Sequence, residues 1–70
     1  MMKRENLVPG KKYRITRTIA DAEGALYMND TVTLINFTIV SAKDDNGIVL
    51  FVEDELGKHH TVGLHDLKEL

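Results

Sequence analysis

Few side chains in this sequence are suited to chemistry. The candidates are three histidines (His59, His60, His65), one serine (Ser41) and two acidic pairs, Asp44-Asp45 and Asp54-Glu55. A metal centre needs three or four ligands converging at fixed distances. His59 and His60 are adjacent in a segment of strand character, so they point to opposite faces. Only His60, His65 and Asp66 are spaced to approach one another, across a helical turn. The plainer reading leaves His59 in water and sets His60 at the mouth of the fold beside Val62. Ser41 has no base near it in sequence, and a triad also needs a rigid concave site and an oxyanion hole. Paired catalytic carboxylates need one member raised in pKa by burial, whereas both acidic pairs here fall in turns, where carboxylates are hydrated. Asp44-Asp45-Asn46-Gly47 lacks the alternating ligands and closing Glu of a calcium loop. The five glycines are scattered, so no phosphate-cradling loop is present. There is no cysteine, hence no thiolate nucleophile, no thiolate zinc site and no disulfide. The expectation is a non-enzymatic protein without metal or cofactor.

The elements that position these residues must fit into 70 residues, which is one domain. The hydrophobic share of 43% and charged share of 29% are those of an ordinary globular chain. The first nine residues hold no apolar run suited to a signal peptide, and a cysteine-free domain of this size fits a reducing interior, so a cytoplasmic location is expected. The stretch from Val32 to Val40 is interrupted by Thr33, Asn36 and Thr38 and is too short to cross a bilayer, so no membrane role is expected. Residues 1–8 show no periodic pattern and are expected to form a flexible arm before a single domain over 9–70.

Residues 12–19 read as a strand, with Tyr13, Ile15, Arg17 and Ile19 on one face and Lys12, Arg14, Thr16 and Thr18 on the other. Residues 20–30 read as a long irregular loop, with a short helix as the alternative. Residues 31–42 are rich in Val, Thr, Ile and Phe and form the clearest strand. Asn46-Gly47 is a strong hairpin signal, because a type I′ turn needs positive φ at both central positions. A two-residue turn there places Asp45 opposite Ile48. Residues 48–53 are the return strand. A turn at 54–57, a short strand over 58–62, a helical turn at 63–67 and an extended stub at 68–70 complete the chain. Both faces of the central hairpin are apolar: Ile35, Phe37, Ile39, Ile48, Leu50 and Val52 share one, and Val32, Leu34, Val40, Val49 and Phe51 the other. An antiparallel sheet with one wet face alternates more cleanly. Such a hairpin either bends through a closed barrel or meets a partner, and a bulge near Asn36 would swap its faces and favour the barrel.

Four segments carry a resemblance: Tyr13-Arg14-Ile15-Thr16-Arg17, Asn29-Asp30-Thr31-Val32-Thr33-Leu34, Asp54-Glu55-Leu56-Gly57-Lys58 and Val62-Gly63-Leu64-His65-Asp66-Leu67. Their succession resembles the small SH3-like barrel proteins encoded by bacteriophages and prophages. There a Tyr-Arg-Val-Thr strand leads through a loop to Gly-Asp-x-Val-x-Leu, an Asp-x-x-Gly turn and a Val-x-Leu-x-Asp-Leu ending. The similarity covers residues 11–70 and departs at Asn29, where the pattern prefers Gly. It implies an all-β, SH3-like barrel of about five strands with a long first loop and a short helical turn near the C-terminus. It also implies a phage origin and hence a host-cell cytoplasm, and it attaches no site residues. Ala25-Leu26-Tyr27 echoes the Ala-Leu-Tyr of signalling SH3 domains, but it closes the loop here rather than opening it. With only two Tyr, two Phe and no Trp, a proline-peptide groove is not expected.

Two partner classes remain. The first is protein, either a host protein that the chain modulates or a second copy in a homodimer, met through Tyr13, Tyr27, Phe37, Ile39 and Phe51. The second is nucleic acid. Residues 1–20 hold six basic side chains against Glu5 alone, whereas residues 21–70 hold ten acids against three lysines. Lys3, Arg4, Lys11, Lys12 and Arg14 are the residues that would face a polyanion, although the chain as a whole is acidic.

Overall fold

A computed structural model of the chain describes residues 2–22, 24–41, 43 and 47–70. Seven strands appear among them: β1 (Lys12–Ile15), β2 (Ile19–Asp21), β3 (Gly24–Leu26), β4 (Thr31–Ile39), β5 (Ile48–Glu53), β6 (His59–Gly63) and β7 (Leu67–Glu69). Short 3₁₀ turns cover Arg4–Asn6 and Leu64–Asp66. The protein is therefore all-β. Every strand pairing is antiparallel. No helix among the described residues is long and apolar enough to cross a membrane.

Five strands form one sheet in the order β6-β5-β4-β1-β7, and β2 and β3 form a separate two-stranded sheet. The larger sheet is open, with β6 and β7 as its edges. The closed barrel expected from the two apolar hairpin faces is not formed, and seven strands replace the expected five. Part of the difference lies in residues 12–30. The alternation read over 12–19 breaks at Ile15, and Ile19 starts β2, whose pairs Ile19↔Leu26, Ala20↔Ala25 and Asp21↔Gly24 make a hairpin of the expected loop. Gly24, at φ 129°, supplies a backbone shape that side-chain-bearing residues avoid.

The central hairpin also departs from its expected register. A two-residue turn would set Ile48, Leu50 and Val52 opposite Asp45, Lys43 and Ser41. The chain instead pairs Ile48 with Ile39, Leu50 with Phe37 and Val52 with Leu34. Apolar side chains thus meet apolar side chains across the strands, which outweighs the local turn preference. The backbone closes through Gly47, whose carbonyl accepts from the N–H groups of Val40 and Ser41 at 2.6 and 3.1 Å. Asn46, the other half of the expected turn, lies outside the described residues.

The bulge expected near Asn36 falls between Leu34 and Asn36, with Ile35 as the extra residue. Before it, Val32 and Leu34 point into the core; after it, the register puts Phe37 and Ile39 on the inner side, opposite Leu50 and Ile48. Ile35 is turned outward, where Phe51 also stands. The core gathers Tyr13 and Ile15 of β1, Leu26 of β3, Ile48, Leu50 and Val52 of β5, Val62 of β6, and Leu64 and Leu67 around the second 3₁₀ turn. Residues 1–8, expected as a flexible arm, contribute Met2 and Leu7 to this core.

Candidate functional site

His60 is the most unusual residue of the fold. Its parity on β6 turns it inward, opposite Val52, and its side chain is 1% exposed. Asp21, the last residue of β2, places Oδ2 3.0 Å from Nδ1. Asp54, which follows β5, places Oδ2 2.7 Å from Nε2. An imidazole can donate to two carboxylates only when both nitrogens carry protons, so this geometry describes a cation held between two anions. Burial by itself disfavours that charge, but the hydrogen bonds and attraction of Asp54 and Asp21 outweigh it, and the pKa of His60 is raised. The His60 hydrogen bond, together with the backbone N–H groups of Lys58 and Leu56, lowers that of Asp54. Those two N–H groups both donate to Asp54 Oδ1 at 2.9 Å and wrap the turn around it. Gly57 in that turn has φ 84°. The cluster thus ties the β2–β3 hairpin to the β5–β6 turn.

Both ring nitrogens of His60 are hydrogen-bonded to carboxylates. His65 and Asp66 lie elsewhere. Asp66 accepts from Arg17 Nε at 2.8 Å and from the Gly63 N–H at 2.8 Å. Thr16 donates to the carbonyls of Asp66 and His65 from its N–H and hydroxyl, both at 2.9 Å. The pairing of His60, His65 and Asp66 is therefore not formed, and Arg17, expected on the Tyr13 face, turns to the 3₁₀ turn instead. No group of three His, Cys, Asp or Glu side chains among the described residues is arranged to hold a metal. His59, on the opposite face from His60, is exposed and 3.3 Å from Glu53.

Beside the Asp21–His60 contact runs a groove of about 550 Å³. Ile35 and Phe51 line it with His59 and Thr61 of β6 and Ala22. Ile35 is 43% exposed and Phe51 40%, and the apolar surface between them meets the open β6 edge. Ile35 follows the inward-facing Leu34 and so points outward, and the bulge turns Phe37 and Ile39 to the inner side after it.

The five expected partner-binding residues do not converge. Tyr13 is 0% exposed and cannot meet a partner. Its ring fills the core, and its hydroxyl donates to the Asn6 carbonyl at 2.7 Å and accepts from the Val8 N–H at 2.9 Å. Phe37 is half-buried against the core. Ile39 is exposed at the end of β4 on the side opposite to Phe51. Tyr27 is exposed too, but it lines a separate recess with Thr31 and Leu56. Only Phe51 belongs to the groove. Ile35, Thr61 and Asp21 are not among the sequence candidates, and strand alternation gives His59 only as an exposed residue.

Of the five basic candidates, Lys3, Lys11, Lys12 and Arg14 are exposed and Arg4 is half-buried. Lys11 is engaged: its Nζ is 2.9 Å from Glu69 and 5.4 Å from the centre of the Tyr13 ring. Compared with protein-family models, curated proteins and solved structures, the chain matches none of them.

Proposed function

We propose that the protein is a non-enzymatic, SH3-like protein-binding module of the phage type, whose groove beside β6 takes a segment of a partner protein in the cytoplasm. Three features support an SH3-like reading. β1 is followed by a projecting hairpin, β4, β5 and β6 form a meander, and a 3₁₀ turn returns the chain through β7 to pair with β1. The Asp-x-x-Gly turn and the Val-x-Leu-x-Asp-Leu ending fall at the β5–β6 turn and across that 3₁₀ turn. The observation that carries the function is the exposure of Phe51 and Ile35 side by side in the groove. Two large apolar side chains on one face, beside an edge strand with unpaired backbone groups, suit an added strand from another chain. A second copy is the simplest partner and a host protein the other. The engagement of both His60 nitrogens supports a binding rather than a catalytic role.

Phe51→Ser tests this. The side chain faces outward, so the variant should melt close to the wild type. With the intact chain as bait in host lysate, proteins held by the wild type should be lost from Phe51→Ser. Light scattering across micromolar concentrations reads the self-associating version, with the variant expected to be monomeric where the wild type is dimeric. Retention of the same proteins by both baits, or an unchanged oligomeric state where a dimer forms, sinks the proposal.

A further inference from the structure

The outer face of the β7-β1-β4 side of the sheet carries a second, unrelated feature. Arg14 stands directly opposite Lys68 on β7 and Thr31 on β4. Two residues away on β1, Lys12 stands opposite Thr33. Residues directly opposite in an antiparallel pair share a face, and the burial of Tyr13, Ile15, Val32 and Leu67 fixes that face as the outer one. Lys12, Arg14 and Lys68 are exposed and have no ion pair among the described residues. Like charges placed directly across a ladder repel each other, and Arg14 and Lys68 are such a pair. The two acids nearest in sequence to Lys68 are each held by a base of the β1 segment: Glu69 by Lys11 at 2.9 Å and Asp66 by Arg17 at 2.8 Å. Glu53, further along the Lys12–Thr33 row, lies beside His59. Among the described residues, Lys12, Arg14 and Lys68 thus share this face with the hydroxyls of Thr31 and Thr33, and Glu53 borders it opposite Thr33.

We infer that this face binds the phosphate backbone of a nucleic acid. Arg and Lys with Thr hydroxyls are the side chains that contact phosphate, and the Arg fork matches it in two directions. A flat face without an aromatic among these residues gives backbone contact without base readout, so binding is insensitive to sequence. Lys11, engaged by Glu69, drops out of the basic set expected from sequence, and Lys68, fifty-four residues beyond Arg14 in the chain, joins it.

The test is fluorescence anisotropy of a labelled, mixed-sequence single-stranded oligonucleotide titrated with the full chain. Three phosphate contacts at a slope of about −0.7 each give a combined slope of about −2, so affinity should fall about fifteen-fold between about 50 and 200 mM salt. Lys12→Gln, Arg14→Gln and Lys68→Gln combined should remove the binding and Lys68→Gln alone should make the slope shallower. Phe51→Ser should bind like the wild type, which separates this surface from the groove. All three basic side chains are exposed, and circular dichroism should show the variants folded. Absence of binding by the wild type at low salt overturns the inference, as does an unchanged slope in the triple variant. Displacement of the oligonucleotide by polyglutamate of equal charge, as readily as by unlabelled oligonucleotide, overturns phosphate recognition in favour of an acidic protein segment.

Discussion

His60→Ala should be among the most damaging single substitutions in this protein. It removes the ring held between Asp21 and Asp54 and leaves both carboxylates without its hydrogen bonds. Removing one partner of a buried ion pair typically costs 3–5 kcal/mol. Asp21 is partly exposed and Asp54 keeps the Leu56 and Lys58 N–H groups, so both can recover some solvation, and a loss of about 3 kcal/mol is expected. A chain of this length has a total stability of only about 3.5–10 kcal/mol. The melting temperature should fall by roughly 15 °C. Asp21→Asn and Asp54→Asn added to His60→Ala should recover part of the loss, since the two carboxylate charges go with them. Urea titration of the three proteins measures this. A His60→Ala melting curve that overlays the wild type would remove the cluster as a structural tie.

The same cluster sets the pH dependence. His60 has a raised pKa in the folded state, so its contribution is complete below the unfolded value of about 6.5 and is lost as pH rises through the folded value. Asp54 has a lowered pKa, so its contribution is present above the unfolded value of about 3.9 and is lost as pH falls through the folded one. Both operate together between about pH 4 and 6.5. As pH rises through the raised folded value, the ring becomes neutral and turns a lone pair toward one of its carboxylates. Stability of the wild type should therefore decline from mildly acidic to alkaline pH. The difference between wild type and His60→Ala should shrink in parallel, which separates His60 from His59 and His65. A difference that stays constant with pH contradicts the paired-cation geometry.

Tyr13→Ala should have an effect of similar or greater size. Tyr13 is fully buried, and removing a core ring costs about 3–5 kcal/mol. The hydroxyl adds to this, because it joins Asn6 and Val8 to the core. The expected result is a chain largely unfolded at room temperature. Tyr13→Phe isolates the second effect: the ring stays, the Asn6 carbonyl and Val8 N–H lose their partner, and about 1–2 kcal/mol is lost. Hydrogen exchange at Val8 should quicken in Tyr13→Phe while Leu50 stays protected. If Tyr13→Ala folds normally and loses only a binding activity, the ring is a surface residue after all and this placement of β1 is wrong.

Period-two patterning was enough to place strands where each has one apolar face. Ile48–Glu53 forms the strand expected at 48–53, Tyr13 and Ile15 share the inner face of β1, and the turn at 54–57 and the single helical turn before Leu67 stand where their residues indicated. That His59 and His60 point to opposite faces, with His59 exposed, followed from the same alternation, whereas His60, expected at the mouth of the fold, is buried. These are local consequences of side-chain direction and turn chemistry, and a sequence states them directly.

What the sequence did not contain was the pairing of distant segments. Asn46-Gly47 favours a tight turn, yet the register follows the match of Ile48, Leu50 and Val52 to Ile39, Phe37 and Leu34. Residues 20–30 have weak strand character because they hold Gly24 and small alanines, and they become a hairpin by pairing with each other. Asp21 lies 39 residues from His60, and no spacing rule connects them. Lys68 meets Arg14 only because the chain returns past the 3₁₀ turn to β1. Residue types alone thus established an all-strand chain, most of its strands and the facing of its histidines. Tertiary structure alone decided which carboxylates hold His60, which apolar residues are left outside, and which charges stand together, because burial and Coulomb energies depend on distances in space that local preferences do not set.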